Sequence, residues 1–202
     1  MIDLESYRPL GKNIEEDFEE IKIKDLQINS IHSKKYLILK IISKIALTDA
    51  ASFIGEDSNN DVITVSIYDA KEYYKADWDK LENNFFAEDA YIIVIEPYYK
   101  MSTCCCRADK LRIESVNETI IFNNKENLDI FLEKIKYKNK SYQDYAILGE
   151  LVMNLSISEQ VIFYLEKSIF EQKKKNEKDF DTNDYLLLSK SFLYICIFNV
   201  NI

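Results

Sequence analysis

The chain has 202 residues, of which 47% are apolar, and it carries 26 basic and 35 acidic side chains. This size and composition are typical of a globular chain with one large or two small domains. Three glycines and one histidine exclude glycine-rich phosphate loops and the paired histidines of H-E-x-x-H zinc hydrolases. We therefore expect no enzyme activity, no catalytic residue, no cofactor and no metal ion.

The formal net charge is −9. Binding of nucleic acid requires Lys and Arg side chains clustered on one face, so the acidic balance predicts that nucleic acid is a disfavoured partner. The longest apolar run, Tyr91–Ile95, is far shorter than a bilayer-spanning segment, which needs about 20 residues. Residues 1–10 lack the pattern of an export signal. These features predict no membrane partner, a cytoplasmic or nuclear location, and reduced cysteines.

Acidic side chains dominate the start of the chain. Residues 1–22 hold many carboxylates and few large apolar side chains. Such a segment buries too little surface to offset the entropy of ordering it. It is predicted to be an acidic lead-in.

Residues 23–125 are predicted to form a β-rich domain, because β-branched runs and alternation of apolar with polar residues recur there. Strands are expected at 36–47, 62–68, 91–96, 110–114 and 119–122. The segment 55–61, GEDSNND, is rich in side chains that hydrogen-bond to their own backbone or tolerate a left-handed conformation. It predicts a turn that joins 47–54 with 62–68 in a hairpin. Short strands at this spacing favour a small barrel or sandwich.

Residues 126–202 are predicted to form a helical region. The region begins with apolar residues spaced as on one face of a helix, namely Leu128, Phe131, Leu132 and Ile135. Helices at 141–155 and 158–175 are joined by a short link, so they are expected to be antiparallel neighbours. A third helix is expected from residue 182 to residue 198, with Thr182 or Asn183 as its cap.

An internal repeat makes the helical prediction more specific. The pattern large, large, small, large at positions 145, 148, 149 and 152 recurs at 185, 188, 189 and 192, as in helical repeat proteins. The segment 142–175 resembles one degenerate tetratricopeptide (TPR) repeat, the alternative being a generic amphipathic hairpin. The predicted fold class is α+β: a small N-terminal β-barrel or sandwich-like domain followed by a C-terminal TPR-like antiparallel helical hairpin and one extra helix.

Three stretches of the chain resemble one group of proteins. They are residues 21–69, residues 85–100 (FFAEDAYIIVIEPYYK) and residues 111–122 (LRIESVNETIIF). With the TPR-like segment, they are similar to the region up to the first repeats in eukaryotic, mainly fungal, proteins that contain TPR and SET domains. The resemblance implies an accessory β domain leading into a TPR stack, and then a SET domain that methylates lysine.

The SET domain is missing, because no N-H-x-[CS] run occurs in the sequence. Methyltransferase activity is therefore not expected. The leading interpretation is a non-enzymatic protein–protein interaction module, a fragment or truncated relative of a TPR and SET domain protein. The alternatives are an oligonucleotide-binding small β-barrel and an accessory part of a lysine methyltransferase.

A first group of candidate binding residues follows the predicted strand at 91–96. Tyr98, Tyr99 and Lys100 come directly after a Glu–Pro pair. Two tyrosines beside a lysine can stack a base or clamp a peptide. Strand alternation turns one of the two tyrosines inward, so packing is the competing interpretation.

A second group lies in the TPR-like hairpin. The inner concave positions would be Ala146, Glu150, Met153 and Asn154. These residues do not provide the Lys and Asn pattern that binds acidic tails, so a groove ligand would be apolar or basic. A protein partner is predicted for this region, together with self-association through the uncovered last helix.

The remaining candidates favour structural roles. Cys104, Cys105 and Cys106 lack a second Cys or His cluster that would complete a metal site. Trp78 lies between two aspartates but is more typical of a hydrophobic anchor. His32 has no identifiable carboxylate to orient it as a catalytic base.

Overall fold

The structure is a computed structural model and describes residues 14, 17–68, 70, 87–101, 109–137, 140–153 and 158–174. Within these ranges it contains ten β-strands in one sheet and three α-helices. The strands are β1 (Glu19–Ile21), β2 (Ser30–Ile31), β3 (Lys35–Ile41), β4 (Ala46–Leu47), β5 (Ala51–Glu56), β6 (Val62–Ile67), β7 (Tyr91–Ile95), β8 (Tyr98–Lys100), β9 (Lys110–Ile113) and β10 (Thr119–Phe122). The helices are α1 (Lys125–Ile135), α2 (Tyr142–Met153) and α3 (Ser158–Lys174). The helix predicted at 182–198 lies outside the described residues.

The strand order across the sheet is β10-β7-β3-β5-β6-β9-β8-β2, with β1 beside β3 and β4 beside β5. The pairs are antiparallel except β1 with β3 and β6 with β9, which are parallel. The sheet is open, since its end strands β10 and β2 are not neighbours in the part of the chain that is described. It nevertheless curls, because only residues 96 and 97 separate β7, which pairs with β3, from β8, which pairs with β9.

The bend between β7 and β8 is held by the segment before β3. Glu96 has a φ of 50°, a left-handed conformation that costs free energy in a residue other than glycine. Its backbone N–H donates to Lys35 O (2.8 Å), and its carboxylate accepts from the Lys34 N–H (3.1 Å). The His32 N–H donates to Pro97 O (3.1 Å). These contacts fix the direction in which β8 leaves β7.

The strands differ in how many of their faces are buried. β7 and β10 have the continuous apolar sequences YIIVI and TIIF, and all their residues except Tyr91 are buried. β9, with the sequence KLRI, alternates between half-buried and buried residues. A strand covered on both faces requires a continuous apolar run, whereas a strand covered on one face requires alternation. Among the described residues, one part of the sheet is therefore covered on both sides and the other part on one side only.

The first hydrophobic cluster fills the inside of the curled sheet, and we call it the inner cluster. Strands from across the sheet contribute to it, with Leu39, Val65, Ile92, Leu111 and Ile121 among its fully buried members. Gly55 also faces it, since a Cβ at that position would lie 2.9 Å from Leu39 Cδ1. The absence of a side chain there lets β5 and β3 pack closely.

The second cluster joins the other face of β3, β7 and β10 to the three helices. Phe131 of α1 is its centre: its ring lies 5.2 Å from the ring of Phe122 and 6.0 Å from that of Tyr164. Gly149 lets α2 and α3 approach, because a Cβ there would lie 2.7 Å from Leu165 Cδ2. None of the described helices is long and apolar enough to cross a membrane.

The predicted fold class was wrong. The described chain is mostly one β-sheet, and α2 and α3 do not form a separate TPR-like hairpin. Their buried residues Leu148, Tyr164 and Leu165 belong to the same cluster as Ile93 and Phe122 of the strands. The apolar helix faces that suggested a repeat stack instead cover the sheet. The β-rich character that was expected is present.

The junction between α1 and α2 is held by hydrogen bonds to Asp144. The Ser141 N–H donates to Asp144 Oδ2 (2.9 Å), and the Asp144 N–H donates to Ser141 Oγ (3.2 Å). This is a reciprocal capping arrangement at the start of α2. From α1, Lys134 Nζ donates to Asp144 Oδ1 (2.7 Å). Burial on its own would raise the pKa of Asp144, but the hydrogen bonds from Lys134 and Ser141 outweigh it and hold the pKa below its ordinary value.

We expect acid to destabilise the protein partly through this group. A carboxyl group whose pKa is lower in the folded state contributes stability above its unfolded pKa, and that stability is lost as the pH falls through the folded pKa. Asp144→Asn should lower the free energy of unfolding by about 1 kcal/mol near neutral pH. Urea titrations should then show that the variant loses less further stability between about pH 5 and about pH 2 than the unsubstituted protein.

Asp129→Asn is the control for this prediction, because Asp129 is an exposed residue of the same region, on α1. It should follow the pH dependence of the unsubstituted protein. Parallel pH curves for Asp144→Asn and the unsubstituted protein would contradict the role given to Asp144.

Candidate functional site

The side of β5, β6, β8 and β9 that faces away from the inner cluster carries polar and aromatic residues. In β9, Leu111 and Ile113 are fully buried in the inner cluster, whereas Lys110 and Arg112 are half-buried. β6 alternates in the same way, with Thr64 exposed between buried neighbours. We call this surface the outer face. Its members are Ser52, Ile54, Thr64, Ser66, Tyr68, Tyr98, Lys100, Lys110 and Arg112.

The strand register brings cations and aromatic rings together on the outer face. Across the β8–β9 pair, Tyr98 lies opposite Arg112 and Lys100 lies opposite Lys110. Side chains directly opposite each other in an antiparallel pair have Cβ atoms about 5 Å apart. Lys110 also lies beside Thr64 of the parallel strand β6. These residues therefore form one compact patch although they come from separate segments of the chain.

Tyr68, which follows β6, lies under two of the cations. The Arg112 Cζ atom is 4.2 Å from the centre of the Tyr68 ring and the Lys110 Nζ atom is 5.2 Å from it. Lys110 Nζ also donates a hydrogen bond to the Tyr68 hydroxyl (2.7 Å). Cations over a ring face are attracted by its quadrupole. Tyr68 thus fixes the positions of both positive charges.

Arg112 has a carboxylate partner at the edge of the outer face. Its Nε donates to Glu114 Oε1, and its Nη2 donates to Glu114 Oε2 (3.1 Å). The hydrogen bonding with Glu114 raises the pKa of Arg112, against the opposing effect of burial. Two parallel N–H···O bonds between a guanidinium and a carboxylate give a defined geometry.

Tyr99 is the tyrosine that strand alternation turns inward. It packs against the inner cluster, and its hydroxyl donates to Asp109 Oδ2 (3.5 Å). Burial, followed by the charge of Asp109 and this hydrogen bond, raises the pKa of Tyr99. Of the first group of predicted binding residues, the structure therefore brings Tyr98 and Lys100 to the outer face and turns Tyr99, which is half-buried, toward the inner cluster.

The second group of predicted binding residues lies elsewhere. Ala146 is half-buried and Glu150 is exposed on α2, which packs through Leu148 into the second cluster. Nothing is described of the Met153 side chain, and Asn154 lies outside the described residues. The helical group and the strand group do not form one site.

His32 has a structural role. Its Nε2 accepts a hydrogen bond from the Gln27 N–H (2.9 Å), so its Nδ1 carries the proton and donates to Pro97 O (2.9 Å). Both ring nitrogens are thereby used in linking the segment before β3 to the bend between β7 and β8. No group of His, Cys, Asp or Glu side chains suited to a metal ion occurs among the described residues; Trp78 and the three adjacent cysteines lie outside them.

Sequence reasoning did not single out Lys110, Arg112 or Tyr68, which supply the cation–aromatic contacts of the outer face. Lys110 and Arg112 alternate with the two apolar residues of KLRI, and Tyr68 continues the alternation of β6. This period of two was the available signal, and it shows which side chains point away from the core. It does not show that β9 lies between β6 and β8.

No family model matches the sequence, and no curated protein matches it. Several solved structures are similar to part of the chain, among them the following two. One is Schizosaccharomyces pombe Pot1pC bound to the single-stranded DNA CGGTTACGGT, with 7% identity over 52% of this chain and 88% of that chain and a TM-score of 0.38. The other is described as the molecular basis for abrogation of activation of pro-inflammatory cytokines, with 14% identity over 49% of this chain and 38% of that chain and a TM-score of 0.31. Scores at this level assign neither a fold nor a ligand.

The prediction about partners was wrong. The helices that were expected to bind a protein use their apolar residues to cover the sheet. Nucleic acid was predicted to be disfavoured, yet the strand register groups Lys100, Lys110 and Arg112 on the outer face. The net charge of −9 is an average over the chain, and it concealed the local grouping of Lys100, Lys110 and Arg112.

Proposed function

We propose that this chain binds single-stranded nucleic acid through the outer face. The observation that carries the proposal is the grouping of Tyr68, Tyr98, Lys100 and Lys110 on a side of the sheet that the described helices, α1, α2 and α3, leave uncovered. Proteins that bind single strands combine aromatic rings, on which bases stack, with cations that follow the phosphate backbone. The outer face offers both.

The arrangement of the strands supports the proposal. β3, β5 and β6 form an antiparallel meander, β9 lies parallel to β6, and the bent strand β7–β8 pairs with β3 at one end and with β9 at the other. A curled five-stranded sheet with this order is the arrangement of the oligonucleotide-binding (OB) fold, in which the second and third strands contribute to the binding surface. Here these strands are β5 and β6, and β6 leads directly to Tyr68.

The shape of the outer face favours a single strand over a duplex. Sequence-specific binding of a duplex requires a helix or a two-stranded ribbon that enters a groove, and α1, α2 and α3 pack on the second cluster instead. The unstacked bases of a single strand can lie flat on Tyr98, with the phosphates near Lys100 and Lys110. A cytoplasmic or nuclear location, where such strands occur, is part of this proposal.

The charges of the outer face set the expected salt dependence. Within the described part of the chain, no carboxylate pairs with Lys100 or Lys110, whereas Arg112 is paired with Glu114. Two phosphate contacts to a single strand predict that log K falls against log salt concentration with a slope of about −1.4. Binding driven by stacking alone would have a slope near zero.

We expect Tyr98→Ala to weaken binding of a single-stranded oligonucleotide by about 1–3 kcal/mol, because it removes a stacking ring. Lys100→Gln should weaken binding and make the salt slope shallower by about 0.7, because it removes one phosphate contact. The measurement is a fluorescence anisotropy titration of the full chain against a labelled oligothymidylate of about 12 nucleotides, at several salt concentrations.

The chain offers matched controls at the end of α1, away from the outer face. Tyr137→Ala removes an exposed tyrosine, and Lys136→Gln removes an exposed lysine. Both variants should bind as the unsubstituted protein does. No binding by the full chain at micromolar concentrations and low salt would contradict the proposed function, and equal losses in the control variants would contradict its assignment to the outer face.

A further inference from the structure

We infer that Glu114 competes with a phosphate of the ligand for Arg112 and so limits the affinity of the outer face. This inference rests on the proposed function and concerns the regulation of the same site. A phosphodiester group and a carboxylate present similar pairs of oxygen atoms to a guanidinium, and both accept two parallel N–H···O bonds from it. The Glu114 carboxylate therefore occupies the position that a phosphate would take.

The geometry of Arg112 supports competition at this position. Both contacts with Glu114 come from one edge of the guanidinium, through Nε and Nη2, while the Cζ atom lies 4.2 Å from the centre of the Tyr68 ring. The cation–π contact with the ring holds the guanidinium near Tyr68 independently of Glu114. Removal of the carboxylate would thus leave Arg112 on the outer face, in line with Lys110 of the same strand.

Glu114 is more exposed to solvent than Arg112, as expected if a phosphate displaces Glu114 from Arg112. The side chain of Glu114 is 55% exposed, whereas that of Arg112 is 27% exposed. Ion pairs at a solvent-exposed carboxylate contribute little to stability and weaken in salt. When a phosphate binds Arg112, the Glu114 side chain can therefore rotate away into solvent, whereas Arg112 keeps its position against Tyr68.

Two consequences for binding follow from this competition. In the unsubstituted protein Arg112 is neutralised by Glu114, so only Lys100 and Lys110 contribute fully to the salt dependence. Glu114→Gln keeps the size of the side chain and one acceptor oxygen but removes its charge and its second acceptor. The variant should bind a single-stranded oligonucleotide about 3–10-fold more tightly, with the salt slope steepening from about −1.4 to about −2 as a third phosphate contact forms.

The test is an anisotropy titration of labelled oligothymidylate against four forms of the full chain: unsubstituted, Glu114→Gln, Asp129→Asn, and Glu114→Gln combined with Arg112→Gln. Asp129→Asn changes the net charge by the same amount on the exposed side of α1, so it measures the effect of overall charge. It should bind within about twofold of the unsubstituted protein. The double variant should lose the gain in affinity and the steeper slope.

Each outcome decides a separate question. Binding by the unsubstituted protein, with Glu114→Gln no tighter than Asp129→Asn, would overturn this inference and leave the proposed function standing. A gain that persists in the double variant would show that the carboxylate repels the ligand without acting through Arg112, and would also overturn it. If neither the unsubstituted protein nor Glu114→Gln binds, the proposed function fails and the inference falls with it.

Discussion

Phe131→Ala is expected to lower the free energy of unfolding by about 3–5 kcal/mol, as truncation of a fully buried phenylalanine does. The Phe131 side chain is inaccessible to solvent and contacts the rings of Phe122 on β10 and Tyr164 on α3. Its loss leaves a cavity at the boundary between the sheet and the helices. Because both sides of the boundary line that cavity, we expect strands and helices to lose stability together.

Hydrogen exchange measured by mass spectrometry tests this coupling. In Phe131→Ala, amide protection should fall in peptides from β7 and β10 as well as in peptides from α2 and α3. Phe170→Ala makes the same chemical change at a phenylalanine that is 50% exposed on α3, and it should cost less than about 1 kcal/mol. Loss of protection confined to the helices would indicate a separate helical unit and contradict the shared core.

The helices show what the sequence could and could not predict. The spacing of Leu128, Phe131 and Ile135 predicted a helix that packs one face on a core, and α1 has all three residues buried. Gly149 is the small residue of the repeat-like pattern, and a Cβ there would lie 2.7 Å from Leu165 Cδ2, so its lack of a side chain lets α2 and α3 pack closely. The surface on which a helix docks is not a local property of its sequence. A repeat-like pattern of large and small residues is equally compatible with a helix stack and with helices that cover a sheet.

The candidate site shows the same limit. Alternation along β8 predicted that Tyr98 and Tyr99 point to opposite sides, and it would also have turned Lys110 and Arg112 outward. The site, however, depends on the parallel pairing of β9 with β6 and on the bend at Glu96. These features join segments that are far apart in the chain, and nothing in their local sequences specifies the pairing. The contrast between continuous YIIVI and alternating KLRI was the strongest available indication of which strands leave one face uncovered.

The turn between β5 and β6, residues 57–61, combines a local feature that the sequence predicted with a long-range contact that it did not predict. Asp57 is 4% exposed, and its Oδ1 accepts from the backbone N–H groups of Asn59 (2.8 Å) and Asp61 (3.2 Å). Asn60 has a φ of 65°, the left-handed conformation expected of such a turn. The other oxygen, Oδ2, accepts from the N–H of Ile23 (2.9 Å) and ties the segment after β1 to the β5–β6 hairpin.

Asp57→Ala is therefore expected to lower the free energy of unfolding by about 2–4 kcal/mol, because three backbone N–H groups lose a charged acceptor at once. Asp57→Asn should lower the free energy of unfolding by less than Asp57→Ala does, since the amide keeps one acceptor oxygen. It should still be less stable than the unsubstituted protein, because its NH₂ group faces a backbone N–H donor. Urea unfolding gives the size of both effects. Amide exchange at Ile23 shows whether the long-range contact is lost together with the turn.

Asp61→Ala is the matched control, because it makes the same chemical change in the same turn at a side chain that accepts no hydrogen bond within the described residues. It should alter stability by less than about 0.5 kcal/mol. Equal effects of the two alanine variants would mean that the turn depends on its overall charge or solvation and not on the acceptor geometry of Asp57. Because β5 and β6 carry Ile54, Thr64 and Tyr68 to the outer face, a loosened hairpin in Asp57→Ala should also weaken oligonucleotide binding, whereas Asp61→Ala should leave it unchanged.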